Sequence, residues 1–265
     1  MTMTPSSTGG LAVEKNSALA RMGRIAQQDR RPQRLRPLMR RYAVAYLTPS
    51  QEIKELARPA PAISAFEDAF AAFGRGTIFE TEFGPTAVED LLPGDKVMTQ
   101  DAGLQVLKWV GRMTLIPDFT RQSPEMGKLT RVTADRFGLG KPMHDLVLGP
   151  RARMLYKSPS CQVRLGIDGA SVPLRGFIDG VTIFEVTPVT PVKTFHLCFD
   201  KHHTLVANGI LLESFHPGRT SDLALSIEMQ QLYLSLFPQI KRVEDFGPMK
   251  YPRLSAEELD SVRAA

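Results

Sequence analysis

The 265-residue sequence has only two cysteines, one tryptophan and no long apolar run. Cys161 and Cys198 could form at most one disulfide, which excludes a disulfide-based scaffold but leaves the compartment open. No apolar run approaches the roughly 18 residues that a membrane-spanning helix needs. The N-terminus lacks the apolar core of a signal peptide, so we expect a cytoplasmic protein. A non-classical export route would leave no trace at the N-terminus.

Common ligand motifs are also missing. The stretch "FGRGT" is not followed by Lys-Ser or Lys-Thr and does not open a helix, so it is a poor phosphate loop. Four residues fall close together and suggest zinc: His196, Cys198, His202 and His203. However, His-x-Cys is not a usual structural-zinc pair, and no Cys-x-x-Cys partner exists elsewhere. We therefore predict no metal and no cofactor.

Positive charge is concentrated at the N-terminus. Residues 1–41 carry a net charge of +7, whereas the remainder carries −2. We predict a basic N-terminal arm, which is more simply a solvated tail than a binding segment. The alternative is weak tethering to nucleic acid or an anionic membrane, because arginines attract phosphate regardless of sequence. The arginines concerned are Arg21, Arg24, Arg30, Arg31, Arg34, Arg36, Arg40 and Arg41.

The central part of the chain has the pattern of an all-β body. Short alternating runs are separated by turn signals every 8–12 residues, which favours hairpins over βαβ units. We expect strands throughout residues 76–112 and again between residues 144 and 215, including "CQVRLGIDGASVPLRGFID". "YAVAYLTPSQEI" predicts a strand and turn, "RPAPAISAF" a connector, and "EDAFAAF" a short helical turn. Trp109 is expected in the core.

In the C-terminal region, the spacing of the apolar residues fits a helix instead of a strand. "SDLALSIEMQQLYLSLFPQI" has apolar spacings that suit a helix, with Ser221 and Asp222 as N-cap candidates and Pro238 at the end. "RLSAEELDSVRAA" predicts a second helix or a frayed tail. We expect three parts: an arm and linker over 1–65, the β-rich domain over 66–217, and a helical extension over 218–265.

Two tight turns support the β architecture independently of any family. "VANGIL" is the strongest hairpin signal, since Asn-Gly suits the two positive-φ positions of a type I′ turn. "LLPGDKV" is a Pro-Gly turn whose aspartate can accept backbone N–H groups. Asn208 is therefore expected to have a structural role.

Three separated segments together resemble the Hint (hedgehog/intein) family of autoprocessing domains. "FGRGTIFETEFGPTAVEDLLPGDKVMTQDAGLQVLKWVGR" is similar to the family's opening block, in its alphaproteobacterial variety. "LVLGPRARML" stands at the second block, and "VKTFHLCFDKHHTLVANGILLESF" resembles the closing block. The resemblance covers about residues 66–217 and implies a horseshoe-shaped β fold of hairpins.

The resemblance also implies which positions would carry the chemistry. A Hint domain begins with Cys or Ser, which attacks the preceding carbonyl, and here that position holds Ala72. The second block normally supplies a histidine as general acid, and here it holds Ala152. The closing block retains a histidine, best matched by His203, but the terminal His-Asn pair of inteins is replaced by Glu213-Ser214. Alanine supplies no nucleophile, and Glu-Ser allows no asparagine cyclisation.

Because of these departures, we predict a non-catalytic Hint-like module that binds an unidentified protein or peptide or has a structural role. The competing hypothesis is residual self-cleavage by a non-standard nucleophile, with Thr77, Ser214 or Cys198 attacking and His203 as base. Asp200 or Asp95 would orient the histidine in a Cys198–His203 pair.

Overall fold

The computed structural model describes residue 1, residues 37–219 and residues 223–264. The chain divides into two units, residues 1–37 and residues 38–265, and the strands and helices of the described residues belong to the second. Six of the eight arginines predicted to act in tethering lie outside the described residues. The two that are described, Arg40 and Arg41, belong to the first strand.

Sixteen strands and four α-helices make up the described part of the second unit. The strands are β1 (Met39–Leu47), β2 (Ile53–Pro61), β3 (Phe73–Gly74), β4 (Ile78–Thr81), β5 (Gly84–Ala87), β6 (Lys96–Thr99), β7 (Gly103–Val106), β8 (Trp109–Leu115), β9 (Leu129–Val132), β10 (Leu146–Leu148), β11 (Arg153–Tyr156), β12 (Ala170–Pro173), β13 (Ile183–Val186), β14 (Val192–Cys198), β15 (Thr204–Ala207) and β16 (Ile210–Glu213). The helices are α1 (Ser64–Glu67), α2 (Pro159–Leu165), α3 (Ile227–Leu234) and α4 (Ala256–Arg263). Short 3₁₀ helices span Pro124–Gly127, Leu174–Phe177 and Val243–Phe246.

The strands form two sheets whose ladders are antiparallel. The first has the order β13-β9-β10-β3-β14-β8-β1-β2. The second has the order β12-β11-β16-β15-β4-β6-β7, with β5 beside β4. This confirms the all-β body and the C-terminal helices. The hairpin of β1 and β2 joins the first sheet through the β1–β8 ladder, so residues 39–61 pack on the body.

Both turns that the sequence singles out form as predicted. Asn208 and Gly209 have φ angles of 48° and 85°, as a type I′ turn requires, and they connect β15 to β16. The Asn208 side chain accepts a hydrogen bond from the Ile78 N–H at 2.8 Å. In the other turn, Asp95 accepts one from the Leu92 N–H at 2.8 Å.

Three local predictions need correction. The end of the expected connector, Arg58–Pro61, is the last part of β2, where prolines are tolerated because β2 is an edge strand. Residues 161–165, expected as strand, belong to α2, which begins with a proline and ends at the left-handed Gly166 (φ 66°). The C-terminal apolar stripe is interrupted at Ala224, whose φ is 45°.

Helix α3 accordingly starts later than expected. Its N-cap is Ser226, whose hydroxyl accepts a hydrogen bond from the Met229 N–H at 3.3 Å. The expected caps, Ser221 and Asp222, lie outside the described residues. Helix α4 confirms the second helix, and a capping box between Ser255 and Glu258 fixes its start.

Two apolar clusters hold the body together. The larger contains residues of both sheets together with residues of α4, including Leu259 and Val262. The second gathers residues from β1, α1, Trp109 and the C-terminal region. Trp109 is fully buried, as predicted, and its indole N–H donates to the Leu236 carbonyl at 2.8 Å. Among the described residues, no helix is long and apolar enough to cross a membrane.

Candidate functional site

The peptide between Ala71 and Ala72 is buried and held by backbone hydrogen bonds on both sides. It lies between α1 and β3, where the Ala72 N–H donates to the Phe195 carbonyl at 3.1 Å. The Ala71 carbonyl accepts from the Arg151 N–H at 2.9 Å, and the Ala72 carbonyl accepts from the Gly149 N–H at 2.8 Å. The opening, middle and closing segments of the sequence therefore meet at this peptide.

The segment Gly149–Ala152 approaches this peptide closely because its first residue is glycine. A Cβ atom at Gly149 would clash with the Ala71 carbonyl oxygen. Ala152 immediately precedes β11 and is 2% exposed. Its N–H donates to the Gly149 carbonyl at 3.2 Å, and its carbonyl accepts from the Leu174 N–H at 3.0 Å. The methyl groups of Ala72 and Ala152 both belong to the larger apolar cluster.

Glu213, at the end of β16, is a buried carboxylate surrounded by cationic and hydroxyl groups. Its Oε1 lies 2.9 Å from Arg253 Nε and 3.0 Å from His202 Nε2. Its Oε2 accepts from the Ser171 hydroxyl at 2.7 Å and lies 3.4 Å from Arg153 Nε. Burial alone would raise the pKa of Glu213, but Arg253, His202 and Arg153 together hold it well below its usual range.

Ser214 and His203 are close to each other but engaged in structural contacts. The Ser214 hydroxyl accepts from the His203 N–H at 2.9 Å. The His203 ring places Nδ1 3.0 Å from Asp101 Oδ2 and packs edge-on to Phe199. His203 therefore faces Asp101, a partner that the sequence did not indicate.

The other candidate nucleophiles are also occupied. The Thr77 hydroxyl is buried and donates to the Gly74 carbonyl at 2.8 Å. Cys198 lies in the second apolar cluster, and its thiol donates to the Phe199 carbonyl at 3.5 Å. Burial raises the pKa of the Cys198 thiol to about 12, which disfavours the reactive thiolate. Asp200, weighed as an orienting residue, has its Oδ2 3.4 Å from Lys108 Nζ.

A cleft of about 470 Å³ opens next to these positions. Ala152 and Glu213 line it, and so do four residues whose role the sequence did not reveal: Arg153, His196, His216 and Arg253. Arg253 is 40 residues from Glu213 in sequence. No local pattern signals such a pair. His196 was weighed only as a zinc ligand, whereas His216 lies just after the closing segment and could have been considered.

His196 lies on β14 between two aromatic rings. Its ring centroid is 5.0 Å from that of Phe73 and 5.4 Å from that of Phe215. Burial lowers the pKa of His196 to about 3, so the ring is neutral at pH 7. His216 donates from Nε2 to the Gly247 carbonyl at 2.9 Å, and burial lowers its pKa to about 4.

The residues weighed as zinc ligands have separate environments. His196 contacts aromatic rings, His202 contacts Glu213, His203 contacts Asp101, and Cys198 contacts a backbone carbonyl. Within the described ranges, no group of three or more His, Cys, Asp or Glu residues is arranged to hold a metal ion.

The two sheets and the site define an antiparallel β domain in which three separated segments meet at one buried peptide bond. The Hint domain family matches residues 71–219, which is more than half of the chain. The chain therefore belongs to the Hint domain family. A comparison with curated proteins found no match.

Comparison with solved structures finds intein-like domains. A bacterial intein-like domain from Clostridium thermocellum is 14% identical over 55% of this chain and 99% of its own, with a TM-score of 0.36. A splice-inactive variant of the AceL NrdHF class 3 split intein is 12% identical over 54% and 97%, with a TM-score of 0.38. The gp41-1 intein is 13% identical over 55% and 99%, with a TM-score of 0.33.

Proposed function

We propose that this Hint domain no longer processes itself and instead serves as a binding or structural module. The observation that carries the proposal is the Ala71–Ala72 peptide. Its backbone is held in place by Arg151, Gly149 and Phe195, but Ala72 presents only a methyl group where the reaction needs a thiol or hydroxyl. Ala152 likewise offers no proton to a leaving group.

The packing of the chain on either side of the Hint segment supports the same proposal. Phe66 and Phe70 precede Ala72, and Tyr233 and Phe237 follow Glu213, yet all four share the second apolar cluster with Trp109. Phe66 packs edge-on against Tyr233 with ring centroids 5.5 Å apart. Segments that processing would separate are thus parts of one core, and cutting at either junction would leave them associated.

The alternative nucleophiles add little to the competing hypothesis. The Thr77 and Ser214 hydroxyls are engaged with backbone groups, and Cys198 is a buried thiol with a raised pKa. His203, the expected base, is paired with Asp101. Residual self-cleavage would need at least one of these contacts to break first.

Tethering through the N-terminal arm and a cytoplasmic location remain predictions. Of the two described arginines of the arm, Arg41 is exposed, whereas Arg40 is 8% exposed. Arg40 Nε lies 2.7 Å from Glu67 Oε1 because the alternation of β1 points Arg40 inward. Arg40 is therefore not available to contact an anionic partner.

Intact mass under denaturing conditions tests the proposal. The purified full chain is incubated for days with and without dithiothreitol or hydroxylamine, and a single full-length species is expected. A Cys198→Ala variant serves as the matched control and should behave identically. Fragments broken between Ala71 and Ala72, or near Glu213, would overturn the proposal. Denaturation before measurement is essential, because cut pieces would stay associated through the shared core.

A further inference from the structure

The cleft beside Ala152 has a hydrogen-bond donor for which the described residues supply no acceptor. His196 is 5% exposed and lines the cleft. Its Nδ1 accepts from the Leu197 N–H at 3.1 Å, so the proton of the neutral ring resides on Nε2. Among the described residues no hydrogen-bond partner meets Nε2. The acceptor for this donor must therefore come from water or from a ligand in the cleft.

One arginine of the same cleft has an unused donor as well. Arg175 pairs with Glu185 through one terminal nitrogen, and its other terminal nitrogen is buried and has no partner among the described residues. Glu185 is also paired with Lys128, so this carboxylate is shared by two cations. The Arg175 charge is therefore only partly neutralised within the protein.

The acceptors at this end of the cleft are already used. Each Glu213 oxygen accepts one hydrogen bond, from Arg253 or from Ser171, and also lies in ion-pair contact with His202 or Arg153. Two guanidinium groups thus share one carboxylate. Four arginines and three acidic residues line the cleft, so positive charge exceeds negative charge by one. Two of those acidic residues, Asp68 and Glu125, are paired with Arg151.

We propose that this cleft binds an oxyanion group, a carboxylate or a phosphate, through the donors of His196 and Arg175. Such a group supplies acceptor oxygens and negative charge together, and guanidinium groups match its planar or tetrahedral geometry. The inference rests on the proposed function as a binding module and names the chemical class of the ligand. It assigns no reaction to the site.

Calorimetric titration of the full chain at constant ionic strength tests the site. The probes are inorganic phosphate, acetate, a triglycine peptide with a free C-terminus and the same peptide with a C-terminal amide. Saturable binding of at least one anionic probe is expected. A free peptide that binds where its amide does not would identify a chain-terminal carboxylate as the source, and preference for phosphate would identify a phosphate group.

Two variants place the binding in the cleft. Arg175→Gln and His196→Phe are each expected to weaken binding about tenfold, which corresponds to one charge-assisted or buried hydrogen bond. Arg175→Gln leaves Glu185 with Lys128, and phenylalanine keeps a ring between Phe73 and Phe215. If His196→Phe fails to fold, Arg175→Gln alone decides. Lys193→Gln, an exposed residue that does not line the cleft, is the charge-matched control and should bind normally.

The outcomes separate this inference from the proposed function. Absence of saturable binding with every probe would overturn the oxyanion site, and so would an equal loss in the Lys193→Gln control. Neither result would bear on self-cleavage, which the intact mass of the same samples reports. Fragments in those samples would overturn the proposed function while the binding constants remained measurable on uncut protein.

Discussion

Missing side-chain groups at two residues separate this site from a reactive one under the proposed function. The backbone at Ala71 and Ala72 retains three hydrogen bonds, and the Arg151 N–H points at the carbonyl that a nucleophile would attack. A donor on that oxygen would stabilise the negative charge that develops during such an attack. The missing parts are a nucleophilic atom at Ala72 and a proton donor at Ala152.

Restoring both groups should restore measurable chemistry at this peptide. The change is Ala72→Cys combined with Ala152→His, and the expected result is a thioester that hydroxylamine cleaves between residues 71 and 72. The added imidazole should accelerate cleavage over Ala72→Cys alone by about 10²- to 10⁴-fold, the usual effect of general acid–base catalysis. Denaturing mass spectrometry over a hydroxylamine time course measures both rates.

Ala72→Ser with Ala152→His is the matched comparison, since it supplies a weaker nucleophile at the same place. It should react more slowly than the cysteine version. If the cysteine–histidine double variant stays intact, the two alanines are not the cause of the lost reactivity. The cause would then lie in the backbone geometry around the Ala71–Ala72 peptide.

At the scale of elements, short-range signals explain which parts of the fold could be predicted. The Asn208-Gly209 hairpin and the Leu92–Asp95 turn depend on residues next to each other, and both form as expected. Helix α2 has equally local signals, a leading proline and a trailing glycine. It was nevertheless predicted as a strand, because the neighbouring sequence has an alternating apolar pattern.

The site was less predictable because its contacts join distant residues. Glu213 meets Arg253 and Arg153, and His202 meets both Glu213 and the Lys250 N–H (2.9 Å). No spacing rule connects these positions. His203 was preferred as the surviving histidine by its place in the closing segment, and only three-dimensional placement shows that it faces Asp101.

The C-terminal helical region should contribute strongly to stability through one aromatic residue. Phe237 is fully buried and stacks on Trp109 at 4.7 Å and on Phe215 at 5.2 Å between ring centroids. Phe237→Ala is expected to lower the free energy of unfolding by about 3–5 kcal/mol, the range for truncating a buried phenylalanine. Urea unfolding followed by Trp109 fluorescence measures the change.

Phe83→Ala provides the control, since Phe83 is 86% exposed and should alter stability little. Because Trp109 and the C-terminal region share one cluster, the loss should appear as a shifted single transition. A separate early transition with the Trp109 signal unchanged would show that the C-terminal region unfolds independently of the body.

At the scale of the whole molecule, buried titratable groups should make stability depend on pH. His196 and His216 have folded-state pKa values of about 3 and about 4 because burial disfavours their charged forms. In the unfolded chain, histidine titrates near pH 6.5, so acidification below that value protonates the unfolded state first. Their contribution is complete above about pH 6.5 and is lost as pH falls toward the folded values.

We expect the free energy of unfolding to fall between pH 6.5 and about 4, by up to about 1.4 kcal/mol per pH unit for each histidine. Below about pH 4.5, Glu213 adds a second loss, because its lowered pKa means that the unfolded carboxylate binds protons before the folded one. Urea titrations at half-unit pH steps measure the profile. His196→Phe removes one titrating group and should make the slope between pH 6 and 4.5 shallower. A wild-type profile that is flat across that window would contradict this prediction. It would mean that the two histidines have the same pKa in the folded and unfolded states.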